Sequence, residues 1–71
     1  MNIQMQPVSS SNIKAIGYDP HTLRLRVEFL NGSTYIYSGV PEAVWSDFSS
    51  AASVGSYFAK NIKGKYTGER E

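Results

Sequence analysis

The sequence predicts an α+β domain: a three-stranded antiparallel β-meander followed by two α-helices packed on one face of the sheet. Residues 23–30 alternate apolar and charged side chains, which is typical of a strand with one buried face. An Asn31-Gly32 pair follows directly and predicts a hairpin. Beyond the hairpin, two segments carry apolar residues at helical spacing.

Length and composition limit the classes of function. The chain has 71 residues, no cysteine and one histidine, and its net charge is +1. This length predicts one domain, and the lack of cysteine means that it has no disulfides. With a single histidine, a zinc site would need carboxylates for its remaining ligands. Near-neutral charge argues against wrapping of long duplex DNA. The N-terminal segment lacks signal-peptide features, and no apolar run is long enough to span a bilayer. We expect a soluble cytoplasmic protein without metal, cofactor or membrane association.

The strands are predicted in chain order. Residues 1–12 are polar and form a tail or a short edge strand. Residues 13–19 form the first strand of the meander, and a turn at 19–22 leads into the alternating strand. Residues 33–38, with the sequence STYIYS, return as the third strand.

The length of the Asn-Gly turn decides which face the two tyrosines of the third strand occupy. A two-residue type I′ turn pairs Glu28 with Tyr35 and Arg26 with Tyr37. The tyrosines then share a face with Arg24 and Arg26, opposite the aliphatic side chains. A three-residue turn with a bulge would instead place them with the aliphatic side chains. We favour the two-residue turn because it groups charged with aromatic residues.

The first helix begins at Pro41 or Glu42, which suit a helix start. Trp45 and Phe48 lie on its apolar stripe, and we expect both to be buried against Val27 and Ile36.

The second helix covers residues 54–63, with Ser53 as its N-cap and Gly64 as its stop. Its apolar positions, spaced by four, are Val54, Phe58 and Ile62.

No catalytic arrangement is evident, so we do not expect an enzyme. His21 stands alone in a turn, and the serines lack a nearby base.

Two groups of residues suggest ligand binding. Tyr35 and Tyr37 with Arg24 and Arg26 would form a cationic aromatic surface on which bases stack. The alternative is that these side chains pack only on one another.

The second group lies near the end of the chain. Lys60, Lys63 and Lys65 would meet phosphates, and Ser53 and Gly55 would present backbone N–H groups to an anion. A solvated helix end and an ordinary serine cap explain the same residues.

The segments SSNIKAIGYD, LRVEFLNGSTYIYSGVP and SVGSYFAKNIKGKY together resemble the KTSC domain family. The matched elements are Tyr35-x-Tyr37, Val40-Pro41, Ser53-x-Gly55, and Phe58 with Ile62 and Lys63 before Tyr66. That family is a small bacterial and phage domain, also found at the C-terminus of some lysyl-tRNA synthetases.

The resemblance implies a single domain over residues 8–66, with short polar tails at 1–7 and 67–71. The synthetase fusion suggests RNA binding. The sequence departs from the family pattern at Ala59, where a polar residue, often Asn, is expected, and at Lys63, where Arg is frequent. Lysine keeps the charge but not the bidentate geometry.

The leading hypothesis is therefore a non-catalytic binding module for a phosphate-bearing ligand, with RNA as that ligand. One alternative is a phage-type homo-oligomer that sequesters a small nucleotide-derived signal. Another is a protein-interaction domain that docks a partner on the tyrosine face.

Overall fold

The computed structural model describes residues 3–71 of the chain. It contains a five-stranded antiparallel sheet in the order β1-β2-β3-β4-β5 and two helices inserted between β4 and β5. The elements are β1 (Met5–Pro7), β2 (Ile13–Asp19), β3 (Arg24–Phe29), β4 (Thr34–Tyr37), α1 (Glu42–Ser49), α2 (Val54–Asn61) and β5 (Gly68–Arg70).

The alternation in β3 separates two faces of the sheet. Leu25 and Val27 are fully buried on the face that we call the helix face, while Arg24, Arg26 and Glu28 lie on the opposite side, the open face. The predicted burial is confirmed at Leu25 and Val27, whereas Phe29 is half-buried and Leu23 is exposed and precedes the strand.

The predicted hairpin register is wrong by one residue. Tyr35 pairs with Val27 and Tyr37 with Leu25, so both tyrosines lie on the helix face with the aliphatic side chains. Ile36 pairs with Arg26 and lies on the open face.

The geometry of the turn explains the shift in register. Phe29 N donates to Ser33 O over 2.8 Å and Gly32 N to Phe29 O over 3.0 Å, which leaves a three-residue loop. Gly32 has φ +94°, whereas Asn31 is not among the described residues with positive φ. A type I′ turn needs positive φ at both central positions, so the loop is a tight turn followed by a glycine bulge.

The sheet has two more strands than the three predicted. The N-terminal segment, expected as a tail or a short edge strand, contributes β1 beside β2, and the predicted C-terminal tail contributes β5 beside β4. Residues 1–2 of the predicted N-terminal tail lie outside the described residues. Pro7 is tolerated in β1 because an edge strand needs only one row of hydrogen bonds.

The helices cover the helix face. The ring of Phe58 in α2 lies 5.6 Å from that of Tyr37 and 6.4 Å from that of Phe48 in α1. Ser53 caps α2 by accepting a hydrogen bond from Ser56 N, as predicted. The helix ends at Asn61, two residues earlier than predicted, with Ile62 as its C-cap, and Gly64, with φ +83°, lies in the turn that follows.

The expected position of Trp45 needs correction. Phe48 is fully buried, but Trp45 is half-buried and its ring stacks on Tyr18 at 5.5 Å. The expected contact with Ile36 is wrong because that side chain lies on the other face of the sheet.

None of the helices within residues 3–71 has the length and apolar character needed to cross a membrane.

Candidate ligand-binding site

A cleft of about 360 Å³ opens on the helix face beside the hairpin. We call it the aromatic cleft. Its aromatic lining comes from two strands and α2, and its polar lining comes from the loop before β2, the hairpin turn and the end of α2. The lining residues are Asn12, Phe29, Asn31, Ser33, Tyr35, Tyr37, Phe58 and Lys63.

The two tyrosines contribute differently to this cleft. Tyr37 is only 7% exposed, whereas Tyr35 is half-buried, so Tyr35 offers the larger ring surface to a ligand. Their rings stand 6.3 Å apart at 26°, and Phe29 meets Tyr35 edge-on at 5.9 Å. These contacts fix the ring of Tyr35 from one side and leave a preformed aromatic wall.

Burial raises the pKa of the Tyr37 hydroxyl above its ordinary value of 10.0, and electrostatic repulsion from Tyr35 adds to the shift. The buried ring of Tyr37 forms an apolar part of the cleft wall, which a flat aromatic ligand can contact.

Lys63 brings a positive charge to the mouth of the cleft. It is exposed, and its backbone N donates to Phe58 O over 2.9 Å, which holds it at the end of α2. A lysine held this way next to an aromatic wall can meet a phosphate while a base contacts the ring.

Two amide side chains supply hydrogen-bonding groups. Asn31 Oδ1 accepts from Ser33 N over 3.0 Å, and Asn12 Oδ1 accepts from Ser10 Oγ over 3.0 Å. These bonds engage the Oδ1 atoms, so the Nδ2 groups are what each amide can offer to a ligand.

A second, shallower cleft of about 650 Å³ adjoins the first and shares Asn12 with it. We call it the serine cleft. It lies between the loop before β2 and the start of α2. Its lining residues are Ser9, Ser10, Ser11, Asn12, Ala52, Ser53, Gly55, Ser56 and Ala59.

The predicted anion-binding residues Ser53 and Gly55 line the serine cleft and also have structural roles. Ser53 Oγ caps α2. A Cβ atom at Gly55 would lie 3.0 Å from Asn12 Oδ1 and 3.3 Å from Ser10 Oγ, so the glycine lets this loop approach the helix.

The structure does not bring all predicted site residues together. Arg24 and Arg26 lie on the open face, so the predicted surface shared by these arginines and the tyrosines is wrong. The shift of one residue in the hairpin register is the reason. Lys60 and Lys65 are exposed but do not line the aromatic cleft, whereas Lys63 does.

The sequence did not predict the polar part of the cleft. In the sequence, Asn12 ends a polar segment and Asn31 stands in a predicted turn. Ser33 became part of the lining through the three-residue loop. No local pattern marks these residues as neighbours of Lys63, since tertiary packing alone joins them.

The lone histidine of the sequence lies outside both clefts. His21 is exposed, and its backbone N donates to Asp19 Oδ1 over 2.9 Å. Across residues 3–71, no group of three or more His, Cys, Asp or Glu side chains is placed to hold a metal ion.

Comparison with known proteins places this chain in a family. Residues 9–66 match the KTSC domain. The crystal structure of a KTSC domain protein from Yersinia pestis superposes with a TM-score of 0.93 at 46% identity and covers 99% of both chains. A protein of Tsukamurella paurometabola is 42% identical over 62 residues, which are 87% of this chain and 92% of that protein.

Part of a larger enzyme is also similar. A lysine–tRNA ligase of Nostoc punctiforme is 43% identical over 60 residues, which are 84% of this chain but 11% of the ligase. These relatives are bacterial. With a match over most of its length and this structural agreement, the chain belongs to the KTSC domain family.

Proposed function

We propose that this chain is a non-catalytic, cytoplasmic module that binds single-stranded RNA through the aromatic cleft. One observation carries the proposal: the fold brings Tyr35, Tyr37 and Lys63 to the same cleft. An exposed aromatic ring, polar amides and a cation side by side are the elements that single-stranded nucleic acid binding uses.

The roles within the cleft follow from exposure. Tyr35 presents the accessible ring and stacks one base, which contributes about 1–3 kcal/mol in comparable sites. Tyr37 supports that ring from the core. Lys63 meets an adjacent phosphate, and Asn12 and Asn31 donate to base edges.

The serine cleft extends the bound path. Because Asn12 belongs to both clefts, a strand that leaves the aromatic cleft reaches Ser53 and Gly55 without crossing the core. Lys60 and Lys65 lie outside the aromatic cleft and add long-range attraction to the RNA backbone.

The net charge of the chain and the size of the aromatic cleft favour contact with a short stretch of RNA. The net charge of +1 supplies few phosphate contacts, and a cleft of about 360 Å³ accommodates about one nucleotide. We therefore expect modest affinity and a contact of a few nucleotides. The similar segment of the lysine–tRNA ligases supports RNA as the ligand, since those enzymes act on a tRNA by their name.

Fluorescence anisotropy with a labelled single-stranded RNA tests the proposal. We expect Tyr35→Ala and Lys63→Ala each to weaken binding by about tenfold or more. Lys14→Ala is the matched control, since Lys14 is an exposed lysine that pairs with Glu28 on the open face at 3.8 Å. Its removal should leave the affinity unchanged.

The salt dependence adds a second measure. Lys63→Ala should reduce the log–log salt slope by about 0.7, the value for one phosphate contact on a single strand. Binding that saturates with a mononucleotide and gains nothing from longer RNA would instead favour a small-nucleotide ligand. If the chain binds neither single-stranded RNA nor a mononucleotide but captures a protein through Tyr35, the result would favour a protein-interaction domain.

A further inference from the structure

A third cavity lies on the open face, on the other side of the sheet from the aromatic cleft. It measures about 280 Å³ and lies among β3, β4 and β5, and we call it the arginine pocket. Three guanidinium groups, two carboxylates and two isoleucines line it together with Ser38. The charged and apolar members are Arg24, Arg26, Arg70, Glu69, Glu71, Ile3 and Ile36.

Arg26 has a buried donor that the protein leaves unused. Its Nη2 donates to Glu71 Oε1 across the pocket. Its Nε is buried and has no hydrogen-bond partner anywhere in residues 3–71. The Nε–H and Nη2–H bonds lie on the same edge of the guanidinium, where a carboxylate can bind with both oxygens. Glu71 engages only one of the two.

The rest of the pocket selects among oxyanions. Ile3 is buried and Ile36 half-buried, so an apolar group can lie beside Arg26. Glu69 and Glu71 oppose a doubly charged phosphate more strongly than a singly charged carboxylate. The position that Glu71 takes shows that a carboxylate reaches Arg26 in this geometry.

We propose that the arginine pocket binds a small carboxylate ligand with a short apolar body, which takes both donors of Arg26 and displaces Glu71. Glu71 is an internal competitor: its side chain is 49% exposed and can move into solvent. This site does not depend on RNA binding, because it lies on the opposite face of the sheet from Tyr35.

Titration of the ¹⁵N-labelled protein with 3-methylbutanoate, followed at the Arg26 Nε–H resonance, tests the proposal. A saturable shift of that resonance is expected. Glu71→Gln removes the competing charge and should tighten binding by about tenfold. Asp47→Asn is the matched control, since it also converts an exposed carboxylate to an amide but lies on α1. It should leave the affinity unchanged.

Two further titrations examine the choice of ligand and the role of Arg26. Inorganic phosphate should bind more weakly than 3-methylbutanoate. Arg26→Lys loses the paired donors and the Nε–H resonance itself, so its titration is followed at the backbone amides of β3 and β5, where the saturable shifts seen in the wild type should be absent. The proposal is overturned if neither the wild type nor Glu71→Gln shifts the Nε–H resonance. It is also overturned if Asp47→Asn tightens binding as much as Glu71→Gln, or if phosphate binds better than the carboxylate.

Discussion

The ring of Tyr37 lies across the backbone of Gly68, its paired residue in β5, where a Cβ atom would come within 2.8 Å of Tyr37 Cζ. The ring cannot move away easily, because it is 7% exposed and packs on Phe58. An aromatic ring over a cross-strand glycine is a known way to secure an edge strand. Here it connects β5 to the core.

Replacing this glycine should therefore loosen β5. We expect Gly68→Ala to lower the free energy of unfolding by about 1–3 kcal/mol, since the methyl group forces the ring or the strand to shift. Urea denaturation measures the change. Thr67→Ala, at the exposed neighbouring position, should stay within about 0.5 kcal/mol of the wild type. Equal stability of Gly68→Ala and the wild type would contradict the close contact.

The two tyrosines should differ sharply in their contribution to stability. We expect Tyr37→Ala to cost about 3–5 kcal/mol, the range for a buried aromatic side chain, and to threaten folding. Tyr35→Ala should cost about 1–2 kcal/mol because its ring is half-buried. Thermal unfolding of both variants distinguishes the two roles. A larger loss at Tyr35 would show that its ring is part of the core rather than a ligand surface.

Alkaline pH should destabilise the domain through Tyr37. Its pKa is raised in the folded state, so its stabilising contribution is complete below pH 10.0 and is lost as the pH rises through the higher folded value. Tyr37→Phe removes the ionisable group. Between about pH 10 and about pH 12, the free energy of unfolding of this variant should fall less than that of the wild type. Parallel denaturation curves at about pH 8 provide the baseline. Identical alkaline profiles would exclude Tyr37 as the group responsible.

In α1, Phe48 should matter more than Trp45. Phe48 is fully buried, so Phe48→Ala should cost about 3–5 kcal/mol. Trp45 is half-buried and stacks on Tyr18 at 5.5 Å and 9°, so Trp45→Ala should cost about 1–3 kcal/mol. Trp45→Phe keeps an aromatic ring on Tyr18 and should recover most of the loss. Unfolding of Trp45→Ala at room temperature would show that the stack is a larger part of the core than its exposure indicates.

The strands and helices that carry strong patterns were predictable. Alternation in β3 and the apolar spacing of α2 identified these elements and their buried faces. The sequence allows β1 only as one of two possibilities and does not indicate β5, because both strands have three residues and lack apolar alternation. Only their pairing with β2 and β4 makes them strands.

The hairpin register depended on information beyond the turn. Asn31-Gly32 is compatible with loops of two or three residues. The longer loop places Tyr35 and Tyr37 against Phe29 and Phe58, and this aromatic packing outweighs the charge pairing that favoured the shorter one. The candidate site differs accordingly: the two tyrosines lie with Lys63 on the helix face, whereas Arg24 and Arg26 lie on the open face.

Chemical-shift mapping with a short single-stranded RNA tests the central claim most directly. The RNA is added to the ¹⁵N-labelled protein, and the backbone and side-chain resonances are followed. We predict that the shifts concentrate at Tyr35, Lys63 and the side-chain amides of Asn12 and Asn31, while Arg24 and Arg26 on the open face remain unaffected. Shifts confined to the open face, or none at saturating RNA, would contradict the account.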